Sequence, residues 1–299
     1  MSVFIAALLV QYVISVKAGL VNHVQGTTNV KVLESVRAGH SVKTGPDGYV
    51  EILLRPGSFL RLGEDSEASL DDTDLSTVKV TIVRGPAIVE AGEISKERPI
   101  TITTGNLTTK IIESGIYRFE KGVATVLAGK LQTADAKLSY EKGWQIFFQD
   151  NYRARKTGKM QETSLDVYSQ TRSGAIASAN FSMVTTLNGS PSYNSFDVWL
   201  FSPNLGFYTY IPGSNYRSPY GYRYYGVGNR DNRVYGNNGG TDSASNGTNT
   251  NSTAAGNSNN SGGGAAPAPA PIVSTPSGEQ SSPATYVDSK NSSVGATVR

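Results

Sequence analysis

Thr44-Gly45-Pro46-Asp47-Gly48-Tyr49-Val50-Glu51-Ile52-Leu53-Leu54-Arg55 sets a tight turn against a run of alternating side chains. Gly supplies the positive φ angles a tight turn needs, and Pro fixes φ at its first corner. After the turn, Val50, Ile52 and Leu54 alternate with Glu51, Leu53 and Arg55. A period of two points one set of side chains inward and leaves the other set wet, so this is a half-buried strand.

The device repeats in both directions along the chain. Leu60 and Leu62 flank Arg61, Val78, Val80 and Ile82 alternate with Lys79 and Thr81, and Ile100 and Ile102 alternate with Thr101 and Thr103. Turn clusters separate these runs: Arg55-Pro56-Gly57-Ser58, Arg84-Gly85-Pro86, Thr104-Gly105-Asn106 and Glu120-Lys121-Gly122. Short strands punctuated this often predict an all-β sandwich, barrel or solenoid. No helical pattern separates them, which argues against a βαβ fold. Gly39, Gly85 and Gly129 each precede a short β-run, a loose rhythm that suits stacked strand–turn units. The all-β domain is expected over residues 19–150.

Composition shifts on either side of it. Phe4 to Val16 is apolar apart from Gln11, Tyr12 and Ser15, too short for a bilayer span but suited to a secretory leader. Val16-Lys17-Ala18 offers small residues at the positions a signal peptidase reads, so residues 1–18 are expected to be a signal peptide and Gly19 the new start. No Lys or Arg precedes the apolar run, a departure from the usual leader. Residues 151–179 predict a helical linker of one or two short helices, interrupted at Gly158 and Gly174. An aromatic-rich accessory module follows over 180–235. The tail from 236 to 299 is Asn, Gly, Ser, Thr, Ala and Pro, too poor in apolar side chains to offset chain entropy, and is expected to be disordered.

The 299-residue chain contains no cysteine and carries a net charge of +3. Disulfides, thiolate metal sites and cysteine nucleophiles are thereby excluded. Arg153, Arg155, Lys156 and Lys159 form the densest basic group, which is modest beside the clusters nucleic-acid binding needs and reads as a solvated segment. No nucleic-acid partner is expected, and no transmembrane helix in the mature chain.

The β segment resembles the FecR family of extracytoplasmic proteins. The resemblance rests on Val36-Arg37-Ala38-Gly39-His40-Ser41-Val42-Lys43-Thr44-Gly45-Pro46-Asp47-Gly48, then Gly57-Ser58-Phe59-Leu60-Arg61-Leu62 and Ser66-Glu67-Ala68-Ser69-Leu70. Val83-Arg84-Gly85, Thr103-Thr104-Gly105-Asn106-Leu107, Gly115-Ile116-Tyr117-Arg118-Phe119, Thr125 to Leu131 and Lys142-Gly143-Trp144 follow in the family's order. It implies a stacked antiparallel β-sandwich or solenoid-like domain outside the cytoplasm, in the periplasm or at the cell surface. Regulator members of the family carry a cytoplasmic sigma-factor-binding domain and a membrane helix, and neither pattern is found in this sequence. Trp199 to Pro212 and Ser218-Pro219-Tyr220-Gly221-Tyr222 resemble a tail on exported FecR-domain proteins of soil bacteria.

Candidate chemistry is sparse. A catalytic triad or histidine metal site would have to use His23 or His40, and no motif gives either a partner. Asp71, Asp72 and Asp74 lack the spacing of a calcium loop. Glu64, Asp65 and Glu67 invite a two-carboxylate glycosidase reading, whose test is their separation in space. No catalytic residue, metal or cofactor is assigned. Trp199, Phe201, Tyr208, Tyr210 and Tyr222 are the candidate binding residues, since flat aromatic faces stack on sugars and on Arg. Against that stands their use as packing for an accessory hairpin. The expected function is a non-catalytic binding module of the bacterial envelope, with a protein or glycan partner. A carbohydrate-active β-solenoid enzyme and a component of FecR-type transmembrane signalling are the alternatives.

Overall fold

A computed structural model describes residues 17–187 and 197–226. The chain divides into two units, Met1–Gly236 and Asn237–Arg299, and every described residue falls in the first. Nearly all of the expected leader and the whole expected disordered tail lie outside the described residues.

The chain shuttles between two sheets. After β1 (Leu20–Gln25) in the first sheet and β2 (Ser41–Lys43) in the second, β3 (Tyr49–Arg55) and β4 (Ser58–Leu62) form a hairpin in the first. β5 (Glu67–Asp72) and β6 (Lys79–Arg84) pair in the second, and β7 (Ala87–Ala91) returns to the first. The same exchange continues with β8 (Ile100–Thr104) and β9 (Leu107–Ile111) in the second, then β10 (Gly115–Glu120) and β11 (Val123–Ala128) in the first. β12 (Lys130–Thr133) and β13 (Ser139–Glu141) close the second sheet, and β14 (Trp144–Gln149) and β15 (Asn151–Lys156) close the first.

The first sheet has eight strands in the order β1-β3-β4-β7-β10-β11-β14-β15, all antiparallel. The second has seven, β13-β12-β9-β8-β6-β5-β2. Its β6–β8 pair is parallel, because the chain visits the first sheet as β7 between them. Stacked hairpins that exchange layers are the sandwich with solenoid-like winding that the turn spacing predicts. Neither sheet closes into a barrel.

Between the layers lies the main core, including Val50, Ile52, Leu54, Leu60, Leu62, Val80, Ile82, Val89, Ile102 and Val126. These are the inward members of the alternating runs. The outer face of the second sheet keeps Thr81, Thr101, Thr103 and Thr108 partly exposed, as a half-wet strand should. The first sheet differs: all seven residues of β3 and all five of β4 and of β7 are buried. Glu51, Leu53 and Arg55, expected to be wet, are covered. A helix and a hairpin from later in the chain lie over that face.

The helix is α1, Ser164–Leu187, a single element of 24 residues. It begins where Thr163 and Asp166 cap each other: Asp166 Oδ2 accepts from the Thr163 N–H, and the Asp166 N–H donates back to Thr163 Oγ1. Asp166 also pairs with Arg118 of β10, fixing the helix start to the sheet. Gly174 does not break it, contrary to the expectation from sequence. A Cβ there would stand 3.2 Å from the Tyr222 ring, so the glycine is the price of close packing rather than a helix end. The expected linker is thus a strand (β15) followed by a docked helix. Beyond α1, β16 (Val198–Ser202) and β17 (Phe207–Ile211) form a hairpin, and β18 (Tyr216–Arg217) pairs with β19 (Arg223–Tyr224).

Candidate functional site

The five aromatic candidates divide by burial. Trp199 pairs with Tyr210 across the β16–β17 hairpin, and its ring meets Phe59 of β4 edge-on at 5.1 Å. Tyr210 lies over Gly57 and donates from its hydroxyl to Asp197 Oδ1 at 2.9 Å. Both rings are buried, at 1% and 0% exposure. The rings of Phe201 and Tyr208, the next pair along the hairpin, meet at a tilt with centroids 5.2 Å apart and keep part of their surface in solvent. Tyr222, also partly exposed, lies against Gly174 of α1 beside Phe181 and Tyr225. Asn side chains hold the module in place by imitating a strand edge. Asn22 donates to the Tyr208 carbonyl and accepts from the Tyr208 N–H, while Asn180 does the same with Tyr225 and also donates to the Tyr210 carbonyl.

Under the helix lies a group of charges that sequence reasoning did not single out. Arg61 of β4 donates to Glu51 of β3 and to Glu90 of β7, both at 2.8 Å, and to Ser169 of α1 at 2.8 Å. Arg172 of α1 reaches the other Glu51 oxygen at 2.9 Å, and Ser173 donates to Glu90 at 2.9 Å. Burial pushes the Glu51 carboxyl up, but Arg61 and Arg172 overcome this and hold it below the usual carboxylate range. For Glu90 burial prevails over Arg61, and its carboxyl is raised. Two guanidiniums and two carboxylates balance, and Arg61, Glu51 and Glu90 have at most 1% of their side chains exposed. With no surface open to a substrate, this cluster ties α1 to the sheet. A signal was present: Glu51, Arg61 and Glu90 each stand inside a run of Val, Ile, Leu or Ala.

The histidines sit apart. His23 of β1 meets the Tyr168 hydroxyl at 3.0 Å through Nδ1, and burial followed by the charge of Arg172 lowers its pKa to about 4. His40 is exposed before β2, in the other sheet. The candidate carboxylates occupy the two ends of β5. Glu64 accepts from the Tyr49 hydroxyl, and Asp65 lies in the turn before the strand. Glu67 pairs with Lys43 at 3.1 Å and Arg84 at 3.4 Å. At the far end Asp71 accepts from Thr81, Asp72 from Thr77, and Asp74 from Ser76. The strand between the two groups spans about 17 Å at the usual rise per residue, so Glu64, Asp65 and Glu67 share one end of β5 and Asp71, Asp72 and Asp74 the other. Among the described residues, no three of His, Asp and Glu gather as metal ligands.

The face of the first sheet beyond the helix remains open. There Arg153 stands opposite Phe147, and Arg155 donates to Gln145 at 3.0 Å. Two shallow hollows, of about 500 and 210 Å³, meet at Arg155 and share Lys121 and Val123. The one acid on their walls, Glu120, is paired with Lys121 at 3.3 Å. β15 ends the sheet, with no described strand beyond it. The basic group at 153–156, read from sequence as part of a helical linker, is therefore an edge strand. Its place comes from hairpin pairing with β14 and from Tyr152 and Ala154, which alternate with the arginines and pack against the core.

A two-sheet, mostly antiparallel domain with a helix on one outer face defines a class of β-sandwich proteins. Residues 40–132, from the approach to β2 through most of β12, match the FecR protein family. No curated protein matches the chain. Among solved structures it is similar to two crystal structures of a "putative anti-sigma factor" from Parabacteroides distasonis. One, at 2.50 Å resolution, is 12% identical with a TM-score of 0.33 over 40% of this chain and 60% of the other. The second, at 1.65 Å, is 10% identical with a TM-score of 0.34 over 45% and 65%. The chain thus spans about three fifths of the length of these structures, and at such scores the likeness carries no functional argument. Among the described residues no helix is long and apolar enough to cross a membrane.

Proposed function

We propose that this chain is a non-catalytic interaction module of the bacterial cell envelope, exported by its N-terminal leader, in which the FecR domain binds a protein or glycan partner. The observation that carries the reading is the FecR match over residues 40–132, which falls on the two-sheet body itself. Two features support it. The buried charges are spent on holding α1 to the sheet, and Glu64, Glu67, Asp71, Asp72 and Asp74 are each engaged by neighbouring hydroxyls, amides or cations. Phe201, Tyr208 and Tyr222 keep surface in solvent and are the aromatic residues through which the C-terminal module would contribute.

The leader meets the fold at its last residues. Ala18 is buried and donates its N–H to the Thr73 carbonyl, and Gly19 donates to Leu53. Cleavage after Ala18 would remove the first of these contacts and keep the second.

Fractionation of cells expressing the full chain, combined with photo-crosslinking from exposed positions on the first sheet, tests the proposal. Processed protein in the envelope fraction, crosslinked to a discrete partner, is the expected result. A chain retained in the cytosol with residues 1–18 intact would overturn it.

A further inference from the structure

β15 presents an unpaired edge whose two faces differ in chemistry. The Thr157 N–H bonds the Gly143 carbonyl at 2.8 Å. Backbone direction alternates along a strand, so Arg155 and Arg153 also turn their peptide groups toward β14, whereas Tyr152, Ala154 and Lys156 turn theirs to the open side. The Tyr152 N–H accordingly takes the Asn151 side chain, at 2.7 Å, in place of a ladder partner. On the outer face Arg153 and Arg155 are exposed, with Lys121 nearby, and among the described residues neither arginine has a carboxylate within ion-pair distance. On the other face Tyr152 and Ala154 pack against the core, and Lys156 lies 5.7 Å over the Trp144 ring.

We propose that β15 receives an extended segment of another protein as a further strand, and that this segment alternates acidic with apolar residues. Resting on the interaction reading above, the inference names the surface and the chemistry of the partner. Alternation follows from the edge itself. Positions beside Arg153 and Arg155 call for carboxylates, and the intervening positions, beside Tyr152 and Ala154, call for apolar side chains. A second copy pairing through its own β15 would set Arg153 and Arg155 against their equivalents, and like charges directly opposite repel. The charge therefore selects a different chain.

The test uses the full processed chain and a short fluorescein-labelled peptide alternating glutamate and valine, with a lysine–valine peptide and a backbone N-methylated glutamate–valine peptide as controls. Fluorescence anisotropy should show binding of the first alone. Arg153→Glu with Arg155→Glu should weaken it about tenfold or more. Ala154→Pro removes an N–H that no ladder bond uses, so it should abolish binding while the thermal midpoint holds. Equal binding of the lysine–valine or the N-methylated peptide would overturn the inference, as would full binding by Ala154→Pro, or self-association through β15. The N-methylated peptide keeps the test decisive if the proline variant fails to fold. If the crosslinked partner of the cell experiment persists in the Arg153→Glu, Arg155→Glu variant, the edge assignment fails and the interaction reading survives.

Discussion

Arg172 of α1 and Glu51 of β3 meet at 2.9 Å across 121 positions of sequence, with the carboxylate wholly withdrawn from water. This contact makes the helix part of the domain. The outer face of β3, β4 and β7 carries Glu51, Arg61 and Glu90 among Leu53, Phe59 and Ile88, a surface that neither water nor hydrocarbon alone would solvate well. Only a cover bearing both a cation and apolar groups suits it, and α1 supplies Arg172, Ser169 and Ser173 alongside Leu165 and Ile176.

Removing one partner from such a cluster leaves the other charge buried. Arg172→Met is expected to cost about 3–5 kcal/mol in unfolding free energy. Adding Glu51→Gln to Arg172→Met should recover part of that loss, because two buried carboxylates no longer share the single cation Arg61. Urea unfolding of the two variants beside the parent checks both statements, and a single variant within about 0.5 kcal/mol of the parent would contradict them.

Acid should weaken the fold through His23 before it reaches the carboxylates. In the folded chain this imidazole titrates at about 4, against an ordinary 6.5, because burial and Arg172 disfavour its charged form. The unfolded chain therefore takes up the proton first. Stability from this group is complete above pH 6.5 and falls as pH drops toward 4. Glu51, held below its usual range, extends the loss to lower pH, whereas Glu90, raised by burial, acts in the opposite sense and gains as it protonates. His23→Gln keeps a polar group near Tyr168 but cannot titrate. Thermal midpoints measured from neutral pH to about 4 should fall less steeply in that variant.

Trp199 distinguishes a packing role from a binding role. Buried against Phe59 and Tyr210, it should cost about 3–5 kcal/mol when replaced by Ala. Phe201→Ala, on the partly exposed pair, should cost much less. Comparable unfolding midpoints for the two variants would count against the hairpin packing described above.

Much of this architecture could be read from the chain because the inward rows are apolar at every second place. Val50, Ile52 and Leu54, or Ile100 and Ile102, declare a strand and its buried side together. The cover was harder to see. The inner face of α1 includes Ser169, Arg172, Ser173 and Asn180 among its apolar residues, since it meets a charged sheet face, so no apolar stripe marks it. β15, Asn-Tyr-Arg-Ala-Arg-Lys, has one side in solvent and a free edge, and reads as a polar linker. Arg61 reads as a wet position because a single sequence does not show that its counterparts, Glu51 and Glu90, stand on the two neighbouring strands under a distant helix. Trp199 and Tyr210 stood out as aromatic, but aromatic density alone does not tell a ligand platform from a hairpin core.

Domain boundaries follow from the same cover, and truncation tests them. A chain of residues 17–150 keeps most strands of both sheets but loses β15, α1 and the hairpins. Leu53, Phe59, Ile88 and Ile116 would then face water, and Glu51 would lose Arg172. Exposed apolar area of this kind promotes association. The shorter chain should be aggregation-prone or poorly ordered, while residues 17–226 should give a dispersed amide spectrum and a cooperative unfolding transition. A soluble, cooperatively folding 17–150 fragment would show that the sandwich needs no lid, and that the buried charges find water instead.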